Sequence, residues 1–123
     1  MAVLVVDDSS AIRLILKKML LDFGFDVLEA TNGRDALERL AEAGPVGLAL
    51  VDWNMPEMNG FEFVQAVRTD PTRNGMRIMM VTTETEIEQV RLALDAGADE
   101  YVMKPFTPDI ISEKIQLLGL DVV

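Results

Sequence analysis

Val3-Leu4-Val5-Val6-Asp7-Asp8 is an aliphatic run that ends abruptly on two carboxylates. A strand with one solvated face alternates apolar and polar side chains. An unbroken aliphatic run instead suits a strand covered on both faces. The same shape returns at Gly47-Leu48-Ala49-Leu50-Val51-Asp52 and at Ile78-Met79-Met80-Val81-Thr82. It returns in shorter form at Tyr101-Val102-Met103, which Lys104 follows, and Asp26–Ala30 reads as a weaker strand.

The gaps between these runs carry helical spacing. Ser9 or Ser10 can cap a helix whose face holds Ile12, Ile15, Leu16, Met19 and Leu20, with Gly24 as its stop. Asn32 or Asn32-Gly33 opens a second, with Ala36, Leu37, Leu40 and Ala41 on one side and Gly44-Pro45 at its end. After a loop from Trp53 to Asn59, a third runs from about Gly60 to Thr69, and Asp70 to Gly75 is turn-rich. Thr85 caps a fourth through Ile87, Val90, Leu94 and Ala96, closed by Gly97. The last runs from Thr107 or Pro108 to Leu118. Strict alternation of strand and helix predicts an α/β fold, a parallel sheet of five strands with helices on both faces, as one domain over residues 1–123.

Composition narrows the chemistry. The 123 residues contain neither Cys nor His, which excludes zinc and thiol chemistry, Ser-His triads and histidine bases. A net charge of −10, spread along the chain, repels phosphate backbones and anionic lipid, so neither nucleic acid nor membrane is an expected partner. The apolar start is too short for a signal peptide and lacks a basic flank, and no stretch approaches the ~18 apolar residues of a membrane span. A cytoplasmic protein is the expectation.

In such sheets ligands bind beyond the carboxyl ends of the strands. Those ends carry Asp7 and Asp8, then Asp52, then Thr82, then Lys104. Three carboxylates gathered there repel one another, and a hard cation relieves the repulsion. Mg²⁺ takes octahedral oxygen ligands and keeps several waters, whose positions phosphoryl oxygens can occupy. Asp7, Asp8 and Asp52 therefore suit a Mg²⁺ site. Each residue also has a plainer reading: Asp7-Asp8 as helix-capping charge, Asp52 and Lys104-Pro105 as turn residues, Thr82 as an ordinary strand end. Their joint placement at strand ends carries the argument.

Taken together, Val5-Val6-Asp7-Asp8-Ser9, Val51-Asp52-Trp53-Asn54-Met55-Pro56-Glu57-Met58-Asn59-Gly60, Val81-Thr82-Thr83-Glu84 and Tyr101-Val102-Met103-Lys104-Pro105-Phe106 resemble the receiver domain of two-component response regulators, especially the single-domain chemotaxis regulators of the CheY type. The resemblance covers the whole chain. It implies strand order 2-1-3-4-5, Asp52 as phosphoacceptor, Asp8 as a direct Mg²⁺ ligand, Asp7 acting through a metal-bound water, and the Asn54 carbonyl as a further ligand. It implies that Lys104 pairs with the phosphoryl group, that Thr82 turns inward to hydrogen-bond it, that Tyr101 follows, and that Lys104–Pro105 is cis. Asn54 and Glu84 stand where the family tunes hydrolysis. Thr83 departs from the family's Ala or Gly and is expected to slow access to Asp52.

The expected partners are a sensor histidine kinase, a downstream protein such as a flagellar motor switch or a phosphotransfer protein, and a separate phosphatase. The chain is expected to be a monomeric switch, not a metabolic enzyme, with output by protein contact, because no further module follows the last helix. Met19, Met79 and Met80 read as core filler, Phe106 as packing, and Val90 as either core or partner contact. A Mg²⁺-dependent aspartyl-phosphate hydrolase is an alternative, but such enzymes carry a second Asp where this chain has Asn54. A receiver cut from a longer regulator is another. A flavodoxin-like FMN carrier would need a hydroxyl- and glycine-rich loop where Asp7-Asp8 stands.

Overall fold

In the computed structural model, which describes residues 1–83 and 87–122, the aliphatic runs form strands β1 (Ala2–Val6), β2 (Asp26–Ala30), β3 (Val46–Asp52), β4 (Arg77–Thr82) and β5 (Glu100–Met103). All pairings are parallel, in the order 2-1-3-4-5. Helices α1 (Ser10–Asp22), α2 (Gly33–Glu42), α3 (Gly60–Arg68), α4 (Ile87–Ala96) and α5 (Pro108–Leu117) connect and follow them. A 3-10 turn, Pro71–Arg73, fills part of the Asp70 to Gly75 segment.

The two-residue period of a strand explains the unbroken aliphatic runs. Leu4, Val6, Ala49, Val51, Ile78 and Met80 point into one core layer, with Ala36 of α2, Phe63 and Val67 of α3 and Ala93 of α4. Val3, Val5, Leu48, Leu50, Met79 and Val81 point into the other, with Leu16 and Leu20 of α1 and Ile111 and Ile115 of α5. Met79, Met80 and Val90 are buried core, and Phe106 packs on the second layer.

Helix starts follow side-chain chemistry. The Ser9 hydroxyl accepts from the Ile12 amide at 3.3 Å, and the Asn32 side chain accepts from the Asp35 amide at 2.8 Å. Asn59 and Glu62 bond each other's amides reciprocally, and Thr107 accepts from the Ile110 amide at 3.2 Å. Each such cap contributes about 1 kcal/mol. The cap expected at Thr85, the Glu84 position and the Ile87 side chain lie outside what is described.

Three expected inward positions face solvent. Ile15 is 46% exposed, because α1 buries the Leu16–Leu20 side of its wide apolar stripe and leaves Ile15 on the rim. Leu94 is 40% exposed, because α4 approaches the sheet through the smaller Ala93 and Val90. Ala41 is exposed as well.

Arg68, at the end of α3, ties the far pole of the sheet together. Its guanidinium donates to the carbonyls of Gly97 at 2.9 Å, Met76 at 2.8 Å and Arg73 at 3.2 Å, and pairs with Asp99 at 2.9 Å. Gly97 follows α4 with φ +121°, and a side chain there would meet Arg68 Cγ at 2.5 Å.

Candidate functional site

Strand register brings the site together. Val6 pairs with Val51, so Asp7 lies level with Asp52 on the neighbouring strand. Asp52 pairs with Val81, so Thr82 is the next step along β4; Thr82 pairs with Met103, so Lys104 is the next residue beyond β5. Four residues drawn from distant parts of the chain thus leave the sheet at one edge.

Asp7, Asp8 and Asp52 each bring a carboxylate oxygen to within 4.8 Å of the others. Asp7 and Asp52 are buried and Asp8 is exposed. The Lys104 ammonium lies 3.2 Å from Asp52 Oδ1 and 3.5 Å from Asp7 Oδ2. Burial works against that ammonium, but the charge of Asp52, then that of Asp7, and the hydrogen bond to Asp52 outweigh it and hold the lysine above its usual pKa. The Lys104–Pro105 peptide is cis, as the resemblance implies.

One cation against three carboxylates leaves an excess of negative charge. Asp7 Oδ1 accepts from the Ser9 amide at 2.8 Å, whereas buried Asp7 Oδ2 has no hydrogen-bond donor among the described residues. An all-oxygen donor set, short of positive charge and with an unsatisfied buried carboxylate oxygen, fits a hard divalent cation.

The loop after β3 is held in place by close backbone approaches. The Gly60 amide donates to the Trp53 carbonyl at 2.9 Å, and a Cβ at Gly60 would stand 2.3 Å from the Asp52 carbonyl oxygen. The Gly33 amide donates to the Met58 carbonyl at 3.0 Å, docking the loop on the start of α2. Glu57 takes φ +66° to make this bend. Asn54 is exposed in the same loop. Trp53 is buried against Phe61, ring centroids 5.8 Å apart.

The Thr82 hydroxyl is buried and donates to the Thr83 carbonyl at 3.0 Å. Tyr101 lies apart from the acidic cluster, half-buried on edge strand β5, where the Lys114 ammonium sits 4.9 Å from its ring centroid and pairs with Glu100 at 3.2 Å. Tyr101 also lines an open groove of ≈ 500 Å³ with Val90, Arg91 and Leu94 of α4. Arg13, Glu29 and Lys114 carry no motif that sequence reasoning could single out; only the fold sets Arg13 against Asp7 and Lys114 against Tyr101. Among the described residues no helix is long and apolar enough to cross a membrane.

Comparison with known proteins agrees with this arrangement. The family profile of the response regulator receiver domain matches residues 3–116. The chain is 44% identical over 119 residues to the chemotaxis protein CheY1 of Helicobacter pylori, covering 96% of each. It is 47% identical over 117 residues to a chemotaxis protein CheY homolog of Campylobacter jejuni, covering 94% of this chain and 90% of that protein. Among solved structures, the chemotaxis response regulator CheY4 of Vibrio cholerae superposes with a TM-score of 0.87 at 38% identity, covering 95% of this chain and 97% of that one. With the fold, the strand-end cluster and these relatives in agreement, the chain belongs to the response regulator receiver domain family and is a CheY-type signalling receiver.

Proposed function

We propose that the chain, acting as one receiver unit, takes a phosphoryl group from a sensor histidine kinase on Asp52 and passes the change to a protein target in chemotaxis, such as a flagellar motor switch or a phosphotransfer protein. The observation that carries this reading is the Lys104 ammonium, 3.2 Å from Asp52 and 3.5 Å from Asp7, inside a cluster of three carboxylates. Asp7, Asp8 and Asp52, with the Asn54 backbone carbonyl, would hold Mg²⁺. Bound there, the ion would offset charge on the phosphoryl oxygens.

Transfer needs positioning and charge neutralisation more than covalent help. An Asp52 carboxylate oxygen forms the new bond to phosphorus as the donor's P–N bond breaks; with a small acyl phosphate the breaking bond is P–O. Lys104 is placed to follow the negative charge from the carboxylate onto the acyl phosphate. The new dianion offers acceptors that the Thr82 hydroxyl can reach only by giving up the Thr83 carbonyl. That exchange supplies the differential interaction a two-state switch requires. Tyr101 moving inward would then reshape the groove it shares with α4. Thr83 slows access to Asp52, and Asn54 and Glu84 set the hydrolysis rate, with a separate phosphatase assisting.

Trp53 is the chain's single tryptophan and is next to Asp52, so it reports on the site. Titration with Mg²⁺ and then acetyl phosphate, read by Trp53 fluorescence and intact mass, should give a Mg²⁺-dependent signal and one added phosphoryl group, both lost in Asp52→Asn. A native protein that binds Mg²⁺ yet accepts no phosphoryl group from acetyl phosphate or a histidine kinase would defeat the proposal.

A further inference from the structure

Arg13 stands in the second turn of α1, facing β2, and is mostly buried. Its Nη1 donates to the backbone carbonyl of Asp7 at 2.7 Å, and its Nε pairs with Glu29 of β2 at 3.3 Å. Lys17 holds the other oxygen of Glu29 at 3.5 Å. We infer that Arg13 is a positioning residue for the acidic cluster: it fixes the Asp7–Asp8 peptide and thereby places the Asp8 carboxylate for the divalent cation. This inference rests on the metal reading given above.

Each acid of the cluster is held differently. The Asp7 amide donates to the Ala30 carbonyl at 3.1 Å, and its carboxylate accepts from the Ser9 amide at 2.8 Å. Lys104 faces both Asp7 and Asp52. Among the described residues no side chain or amide bonds the Asp8 carboxylate, so its position follows from its backbone. A peptide unit is planar, so fixing the Asp7 carbonyl fixes the orientation of the Asp8 amide and the start of residue 8. Arg13 is the side chain that does this.

A bare guanidinium beside a cation site would oppose the cation. Glu29, shared with Lys17, answers part of that charge, so Arg13 supplies a directed hydrogen bond with a reduced net field at the site. This separates two roles by sign. If Arg13 matters only through its charge, removing it tightens Mg²⁺ binding. If Arg13 positions the Asp7–Asp8 peptide, removing it weakens Mg²⁺ binding although a positive charge has gone.

The test uses the intact chain with MgCl₂ alone, in native protein, Arg13→Gln and Arg13→Lys. Mg²⁺ affinity is read by Trp53 fluorescence, and the backbone amide of Asp8 is read by ¹H–¹⁵N NMR without metal. Arg13→Gln should weaken Mg²⁺ about 10-fold, as loss of a supporting bond behind a metal ligand commonly does. It should also shift or broaden the Asp8 amide. Arg13→Lys, which keeps a donor and the charge, should recover part of both. Unchanged or tighter Mg²⁺ binding in Arg13→Gln overturns the proposal, and so does an Asp8 amide that does not change. If native protein binds no Mg²⁺, the metal reading itself fails, while the NMR arm still tests the tie.

Discussion

Replacing Asp7 with Asn should make the metal-free protein more stable. Asp7 is 2% exposed, and its Oδ2 has no hydrogen-bond donor among the described residues. At an effective dielectric of about 20, a second carboxylate oxygen no more than 4.8 Å away repels it by at least roughly 3.5 kcal/mol. Asp52 is such a neighbour, and Asp8, being exposed, adds less. The Lys104 ammonium at 3.5 Å returns about 4.7 kcal/mol on the same scale, so the Coulomb terms nearly cancel. What remains is the cost of desolvating a buried carboxylate, several kcal/mol, of which the Ser9 amide bond recovers roughly 1.5–3 kcal/mol. Asn keeps that bond and the shape while shedding the charge.

The net gain is about 2 kcal/mol. For a chain of 123 residues the unfolding entropy scales to about 260 cal/mol/K, so Tm should rise by roughly 8 °C. Calorimetry of native and Asp7→Asn protein in EDTA reads this directly. Repeating it in MgCl₂ should raise the native Tm by mass action and leave the variant nearly unmoved. An Asn variant that melts below the native protein in EDTA would refute the reasoning, because burial of Asp7 would then be net stabilising without any cation.

Gly60→Ala should cost about 3 kcal/mol in urea unfolding, since its Cβ would stand 2.3 Å from the Asp52 carbonyl oxygen, which cannot yield without moving the strand end, whereas Met80 Cε, at 2.9 Å, is the end of a flexible side chain and can turn aside. Glu57→Asn should add about 0.5–1 kcal/mol, because Asn tolerates the left-handed φ of +66° better than Glu, and urea midpoints will show it. Lys104→Met should destabilise the metal-free protein by an amount that holds steady through neutral and mildly alkaline pH. Lys104 is raised above 10.5 in the folded state, so its contribution is whole below 10.5 and fades as pH climbs through the higher folded value; a penalty that already shrinks near pH ~8 would contradict the pairing.

Much of the fold and of the acidic cluster is legible in the sequence. Unbroken aliphatic runs suit strands covered on both sides, and each ends on the polar residue that the sheet delivers to the site. Asp26–Ala30 was the weaker strand because it lies at the sheet edge, where Val27, Leu28 and Glu29 are only half-buried. Strand 2-1-3-4-5 order came from resemblance, since periodicity says nothing about which strands adjoin. Helix faces are less legible. Ile15 and Leu94 look like core by hydropathy, yet the arc of a helix that meets the sheet depends on the small residues that permit approach, Ala93 among them. The brace from Arg13 to Asp7 and the Lys114 contact with Tyr101 join residues whose proximity exists only after folding, so no spacing rule exposes them.

The Arg68 staple makes α4 a lever with one end on a fulcrum. Gly97, Met76 and Asp99 are fastened to a single guanidinium, and Gly97 has no room for a side chain against it. Ten residues at 1.5 Å per residue give an arm of about 15 Å, so a 2 Å push at the Ile87 end tilts the helix by roughly 8° about the Gly97 end. Amplitude then falls along the arm: Glu88 and Arg91 swing, while Leu94 and Asp95 scarcely move. Backbone shift changes on phosphorylation should decline in that sequence, and a uniform displacement of α4 would mean that the pivot slips.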